Sequence, residues 1–215
     1  MSSKFTNKWT DTGKRSIRSI IRSKTPLKQK IELSVRRVET QVQYLDGALN
    51  RLADRDKSIF AKVVDAYSNR EIQRANVFAN ELAELRRMAS FMMNAKLALE
   101  RVVLRLRTVT QLGDAVVTLA PATKVLQSVS KGVGGILPNA EQELGEVGMM
   151  LNEIMVEAGQ TTGVSPDFDL ANEDARKIME EAAMVAEERM KEKFPELPAL
   201  RASEETAGEY EYTQY

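Results

Sequence analysis

Residues 27–69, LKQKIELSVRRVETQVQYLDGALNRLADRDKSIFAKVVDAYSN, decide the fold. Apolar side chains recur at Leu27, Ile31, Val35, Val38, Val42, Leu45, Leu49 and Leu52, then at Ile59, Val63 and Tyr67. Steps of three and four place them on one stripe of a helix, in heptad-like order. Ser68 and Asn69 break the stripe, and both residue types favour caps and turns. A second stripe follows through Ile72, Val77, Phe78, Leu82, Leu85, Met88, Met92, Leu99, Val102, Val103, Leu106 and Val109. No proline lies between Pro26 and Pro121, and only Gly47 and Gly113 interrupt that stretch. The pattern predicts two long helices in an antiparallel hairpin, turning near 67–69, each about 60 Å long at 1.5 Å per residue. The turn contains no Gly or Pro, so one rod of roughly 130 Å over 27–112 is the competing arrangement.

Downstream, residues 114–130 read as a shorter helix with Val116, Val117, Leu119, Val125, Leu126 and Val129 apolar and Pro121 inside it. KGVGGILPN (131–139) carries three glycines and a proline and reads as a flexible linker. Asn139 is then expected to cap a short acidic helix over 140–158, with Leu144, Val147, Met150, Leu151, Ile154 and Met155 on one side. After a second linker at 159–166, another acidic helix is expected over about 169–193, its apolar face formed by Leu170, Ile178, Met179, Ala182, Met184 and Val185. The end of the chain, FPELPALRASEETAGEYEYTQY, has the composition of a flexible tail. No stretch alternates as a strand does. The expected fold class is all-α: a long basic hairpin, shorter helices, and an acidic C-terminal region.

The net charge of zero hides a division. Residues 1–131 hold 25 Lys and Arg against 12 Asp and Glu, a net +13, whereas residues 132–215 hold 6 against 19, a net −13. Such asymmetry suits a basic part that meets a polyanion and an acidic part that restrains it or recruits something else. The bland alternative is two solvated helical faces that happen to segregate. The chain has no Cys and no His, which removes disulfides, Cys/His zinc sites, thiol nucleophiles and imidazole acid–base chemistry. Nor is there a phosphate-cradling glycine loop, and the carboxylates fall on solvated helix faces. No catalytic residue, metal site or cofactor is therefore expected. No apolar run is long enough to span a bilayer.

The opening residues 1–24, MSSKFTNKWTDTGKRSIRSIIRSK, contain the single tryptophan and a single acid, Asp11. Wound as a helix at about 100° per residue, residues 5–22 put Phe5, Trp9, Ile17, Ile20 and Ile21 on one half. Lys4, Lys8, Lys14, Arg15, Arg18 and Arg22 fall on the other. This is the layout of a helix lying in a membrane interface, aromatics among acyl chains and cations on anionic headgroups. Each cation near an anionic surface adds about 1 kcal/mol, so several together offset the entropy of ordering the segment. A secretory signal would need an uninterrupted apolar stretch, which is missing here. A transit peptide matches the Arg and Ser content but has no need of Trp. Nucleic-acid binding and ordinary packing on the hairpin stay open, because cations do not distinguish phosphodiester from phospholipid.

Amphipathic start, long basic hairpin, linker and acidic helical half together resemble ESCRT-III, most closely the short archaeal cell-division (Cdv-type) subunits that lack a winged-helix tail. Stretches such as LSVRRVETQVQYLDGALNRL and NVFANELAELRRMASFMMNAKLALERV carry the likeness, which spans nearly the whole chain. The resemblance implies a domain order of membrane-binding segment (1–25), basic core (26–131), acidic regulatory helices (132–193) and tail (194–215). It implies filaments of this chain and other ESCRT-III subunits on an anionic membrane, remodelling and cutting it in cell division or budding, at the cytoplasmic face. It also implies a closed state in which acidic helices fold back on the basic core, so deleting residues 140–215 is expected to release filaments. A further implied partner is the MIT domain of an AAA ATPase, for which Phe194, Pro195, Leu197, Pro198 and Leu200 match in kind one family recruiting strip. No nucleic-acid partner is implied. A phage-shock-type membrane-maintenance coat and a coiled-coil nucleic-acid or cytoskeletal adaptor are the alternatives.

Overall fold

The computed structural model describes residues 27–109 and 112–195. Every regular element there is a helix, so the fold is all-α: α1 (Leu27–Ser68), α2 (Ile72–Arg107), α3 (Leu112–Val133), α4 (Pro138–Thr162) and α5 (Phe168–Lys193). The contacts divide the chain into two units: residues up to Tyr44 with Ala98–Glu180, and Leu45–Leu97 with the residues from Glu181 on.

The second unit is built on the halves of α1 and α2 that flank their turn. Asp46 pairs with Lys96, Asp56 with Arg86 and Arg55 with Glu81, so α1 and α2 run antiparallel there. Buried positions on α1 fall at Leu45, Leu49, Ala53, Asp56, Ile59, Val63 and Ala66, continuing the steps of three and four. The turn is a Schellman motif: Glu71 N–H donates to Ala66 O at 2.9 Å and Arg70 N–H to Tyr67 O at 3.0 Å. Its left-handed position is held by Arg70 (φ 60°), where such turns usually place Gly.

Three residues expected on the core stripes are instead exposed near this turn. Tyr67 and Ile72 flank it, and Val77 is off the phase of the buried set Ala75, Leu82, Leu85, Ala89 and Met92. Residues of α5 from Glu181 onward add Ala182 and Ala186 to the unit's interior, and Phe194 closes it at 4% exposure.

In the first unit α3 and α4 make the most extensive packing. The residues between them form a turn in which Ile136 and Leu137 N–H both donate to Val133 O, and Ser130 Oγ donates to Glu141 O at 2.9 Å. So short a connection makes the two helices antiparallel neighbours. The helix after it begins earlier than expected. Asn139 is not its cap: Leu137 occupies that position without a side-chain hydrogen bond, and Pro138 starts the first turn. Proline suits that place because its fixed φ is helical and its missing N–H is needed by no one.

Leu144, Val147, Leu151 and Ile154 are fully buried, each worth about 2 kcal/mol in apolar burial. This helix runs to Thr162 and ends on Gly163 (φ 73°), whose N–H donates to Gly159 O at 2.8 Å. At Gly159 itself a Cβ would come within 2.9 Å of Val164 O, so the loop's return requires a residue without one. Asp167 then caps α5, its Oδ1 accepting from Asp169 and Leu170 N–H at 3.0 and 3.1 Å.

The apolar face expected for α5 is corrected by burial. Leu170 and Met184 are half or more exposed, while Ala171, Ala175 and Ile178 in this unit, and the alanines in the other, form the inner stripe. Small side chains let a helix seat closely, and the larger methionine and leucine fall to the outside. Val117 likewise points outward from α3.

Candidate functional site

A charged clasp in the first unit joins the two oppositely charged parts of the sequence. The start of α1 presents Lys30, Ser34 and Arg37 one helical turn apart, on a single face. Lys30 Nζ donates to Glu157 Oε2 of α4 at 3.0 Å and lies 3.5 Å from Glu153 Oε1. Arg37 Nη1 reaches Glu146 Oε2 at 3.3 Å. Between them, fully buried Ser34 sets its hydroxyl 3.1 Å from the Met150 sulfur. From the end of α2, Arg105 Nη2 donates to Asp174 Oδ2 of α5 at 2.8 Å. Each ion pair joins a cation of residues 1–131 to an acid of residues 132–215. The hydrogen bond to Glu157, with the charges of Glu157 and Glu153, raises the Lys30 pKa above its ordinary value against the opposing effect of burial. Partly exposed pairs of this kind contribute up to about 1 kcal/mol each, so the apolar seam of α3 and α4 outweighs them. They orient the start of α1 on α4 and tie the end of α2 to α5.

Behind the clasp, on another face of α1, an open groove of about 820 Å³ runs along Leu27, Ile31 and Val35, with Leu106 of α2 and Val109, just past the end of α2, across it. Lys28, Glu32, Arg36, Glu39 and Arg107 form its rim, where Arg107 pairs with Glu39.

The second unit has a different polar set. Asp56, 5% exposed, occupies a stripe position and is held by Arg86 through two bonds, Nε to Oδ1 at 2.7 Å and Nη2 to Oδ2 at 3.0 Å. At its far side Lys193 donates to Asn50 Oδ1 at 2.6 Å, and Lys96 to Asp46. That hydrogen bond from Lys96 holds the Asp46 carboxyl below the usual carboxylate range, although burial acts the other way. Around the exposed turn, Lys62 and Arg74 lie over the Phe78 ring at 5.8 and 5.6 Å.

Of the residues expected to meet a membrane, Phe5, Trp9, Ile17, Ile20, Ile21 and the cations from Lys4 to Arg22 all lie outside the described residues. Of the strip expected to meet an ATPase, Phe194 is buried against the second unit and Pro195 is exposed, while Leu197, Pro198 and Leu200 lie outside. A partner reading 194–200 as one strip would have to draw Phe194 out. Reading the sequence for stripes missed Asp56, and the gap between Leu52 and Ile59 was the signal that marks it. Among the described residues no cluster of acids is arranged to hold a metal ion, and no helix is long and apolar enough to cross a membrane.

Fold and site define an all-helical protein whose distinctive feature is a charged clasp between helices. The chain is 43% identical over 180 residues to Cell division protein B1 of Sulfolobus acidocaldarius, a match covering 84% of each chain. It is 35% identical over 167 residues to Cell division protein B of the same organism, covering 78% of this chain and 64% of that relative. At that identity and coverage the chain belongs to the Cdv-type ESCRT-III family. No family model matches it, and no solved structure does.

Proposed function

We propose that this chain is a non-enzymatic cell-division subunit that polymerises, with itself and with related ESCRT-III chains, on the cytoplasmic face of a membrane and helps to constrict and cut it. The observation that carries the reading is the extent of the match to Cell division protein B1, which runs through 84% of the chain. The clasp supports it: ion pairs at Lys30, Arg37 and Arg105 neutralise cations that a polyanionic surface would otherwise attract. Residues 1–25 serve as the membrane foot, with Phe5 and Trp9 among acyl chains and Lys4, Lys8, Lys14, Arg15, Arg18 and Arg22 on headgroups. An AAA ATPase whose MIT domain takes the strip at Phe194–Leu200 would supply the energy for disassembly.

Electron microscopy of the full chain with anionic vesicles tests the reading. Filaments on deformed vesicles are expected, and a Phe5→Ala/Trp9→Ala variant should bind vesicles more weakly than any single Lys→Ala variant. Tight binding to DNA with none to vesicles would sink it. Deleting residues 140–215 is a poor probe of autoinhibition, because it strips α4 from the buried face of α3. Charge reversal at the clasp leaves that seam intact.

A further inference from the structure

We propose that the groove along Leu27, Ile31 and Val35 is the resting dock of the chain's own N-terminal segment, so that groove and membrane compete for one apolar face. This rests on the membrane-foot reading and adds its regulation.

Four observations point to this occupant. First, the groove's location: it opens at Leu27, where residues 1–26 join α1, and its floor of Ile31, Val35, Leu106 and Val109 is aliphatic. The clasp engages a different face of α1, through Lys30, Ser34 and Arg37, and leaves the groove open.

Second, the size. At 1.5 Å per residue the stretch Leu27–Glu39 is about 18 Å long, and residues 13–22 as a helix would be about 15 Å long. About 820 Å³ lies within the range that takes a drug-sized ligand, enough for several aliphatic side chains. Ile17, Ile20 and Ile21 fall at i, i+3 and i+4, the spacing that lines up one helical edge.

Third, the tether. Only Ser23, Lys24, Thr25 and Pro26 separate Arg22 from Leu27, a span of at most about 18 Å extended. Pro26 disfavours helix at Thr25, so the chain is biased to turn there rather than to extend α1 backwards. So short a connection gives the segment an effective concentration in the millimolar range at the groove, far above that of a second copy in dilute solution.

Fourth, the rim. Glu32 is exposed there and makes no ion pair among the described residues, within reach of a cation such as Arg18 on a docked helix. Lys28, Arg36 and Arg107 share that rim, so the apolar face, not charge, drives docking. An anionic bilayer offers the same apolar contact and adds headgroups for the cations, and therefore wins when present.

The sequence has no cysteine, so an engineered pair reports one contact. Arg18→Cys/Glu32→Cys in the full chain, treated at low concentration with a short bifunctional thiol reagent, is read as intrachain product by mass. Because a short tether brings residues 18 and 32 near each other in any case, the decisive comparison adds Ile17→Ser, Ile20→Ser and Ile21→Ser. We expect that triple change to slow intrachain cross-linking at least tenfold, and phosphatidylserine vesicles, but not phosphatidylcholine ones, to do the same. A rate indifferent to the serine changes, or product formed chiefly between chains, overturns the dock. Isoleucine-dependent intrachain product with no vesicle binding upholds the dock and removes the membrane foot instead.

Discussion

Asp56 shows what one residue does in this fold. Its stripe position calls for an apolar side chain, and the two charge-assisted hydrogen bonds donated by Arg86 are what make a carboxylate tolerable at 5% exposure. Such a pair contributes little net stability against two apolar residues, yet it fixes which turn of α1 faces which turn of α2. Asp56→Ala strands the Arg86 guanidinium and should cost about 2 kcal/mol in urea unfolding. Asp56→Leu with Arg86→Met should recover most of that loss; if it unfolds as easily as the single variant, the pair is more than a register pin. Arg70 makes the opposite case. A non-glycine residue in the left-handed region costs about 1 kcal/mol, part of which Gly would return as unfolded-chain entropy. Arg70→Gly should therefore raise stability by about 0.5 kcal/mol. A loss of stability would mean that the Arg70 side chain contributes more than its backbone costs. Of these two residues, the first left a trace, the missing apolar step between Leu52 and Ile59, which the stripe pattern alone does not assign to Asp56. The second was not, because nothing in Ser68-Asn69-Arg70 announces which residue will take a positive φ.

Among the elements, α1 and α2 could be read directly from the sequence because their long stripes keep one period over many turns. Residues 131–139 misled, since the glycines that look like a linker end α3 and form a tight turn between α3 and α4. The inner face of α5 was legible only in part: Ile178 and Ala182 lie on it as expected, but Ala171, Ala175 and Ala186 carry little hydropathy, so Leu170 and Met184 entered the pattern while lying outside. What α4 does as an element follows from its two faces. Leu144, Val147, Leu151 and Ile154 anchor it on α3, and Glu146, Glu153 and Glu157 hold the start of α1. Reversing the second set should leave the first untouched. Glu153→Lys/Glu157→Lys is expected to increase hydrogen exchange over residues 28–38 by about tenfold while α3 and α4 keep their protection. Loss of protection in α4 as well would show that its charges, and not its leucines, seat it. Leu151→Ala gives the complementary result, a loss of about 3 kcal/mol in global stability.

For the whole molecule, the two charge halves set how it responds to its surroundings. The chain has neither His nor Cys, so no side chain titrates at its ordinary pKa between about pH 5 and 8. The shifted groups lie at the two extremes. Asp46 is more acidic folded than unfolded because Lys96 hydrogen-bonds to it, so its stabilising share is complete above about pH 4 and vanishes as pH falls through the lowered value. Lys30 is more basic folded, chiefly through its hydrogen bond with Glu157, so its share is complete below about pH 10 and is lost as pH rises through the raised value. The urea midpoint should therefore be flat from about pH 5 to 9 and fall on either side. Asp46→Asn should flatten only the acid limb, and Lys30→Gln only the alkaline one. A midpoint that moves between pH 6 and 8 would contradict this, since the sequence supplies no imidazole to move it. The same absence bears on assembly. A protein with net charge zero, divided into +13 and −13, has no pH lever near neutrality by which to expose its cations. On the membrane reading proposed above, competition from a surface of higher negative charge density is the lever. Vesicle binding should accordingly be insensitive to pH across the neutral range, steeply weakened by salt, and stronger in the Glu153→Lys/Glu157→Lys variant, whose clasp no longer contends with the lipid.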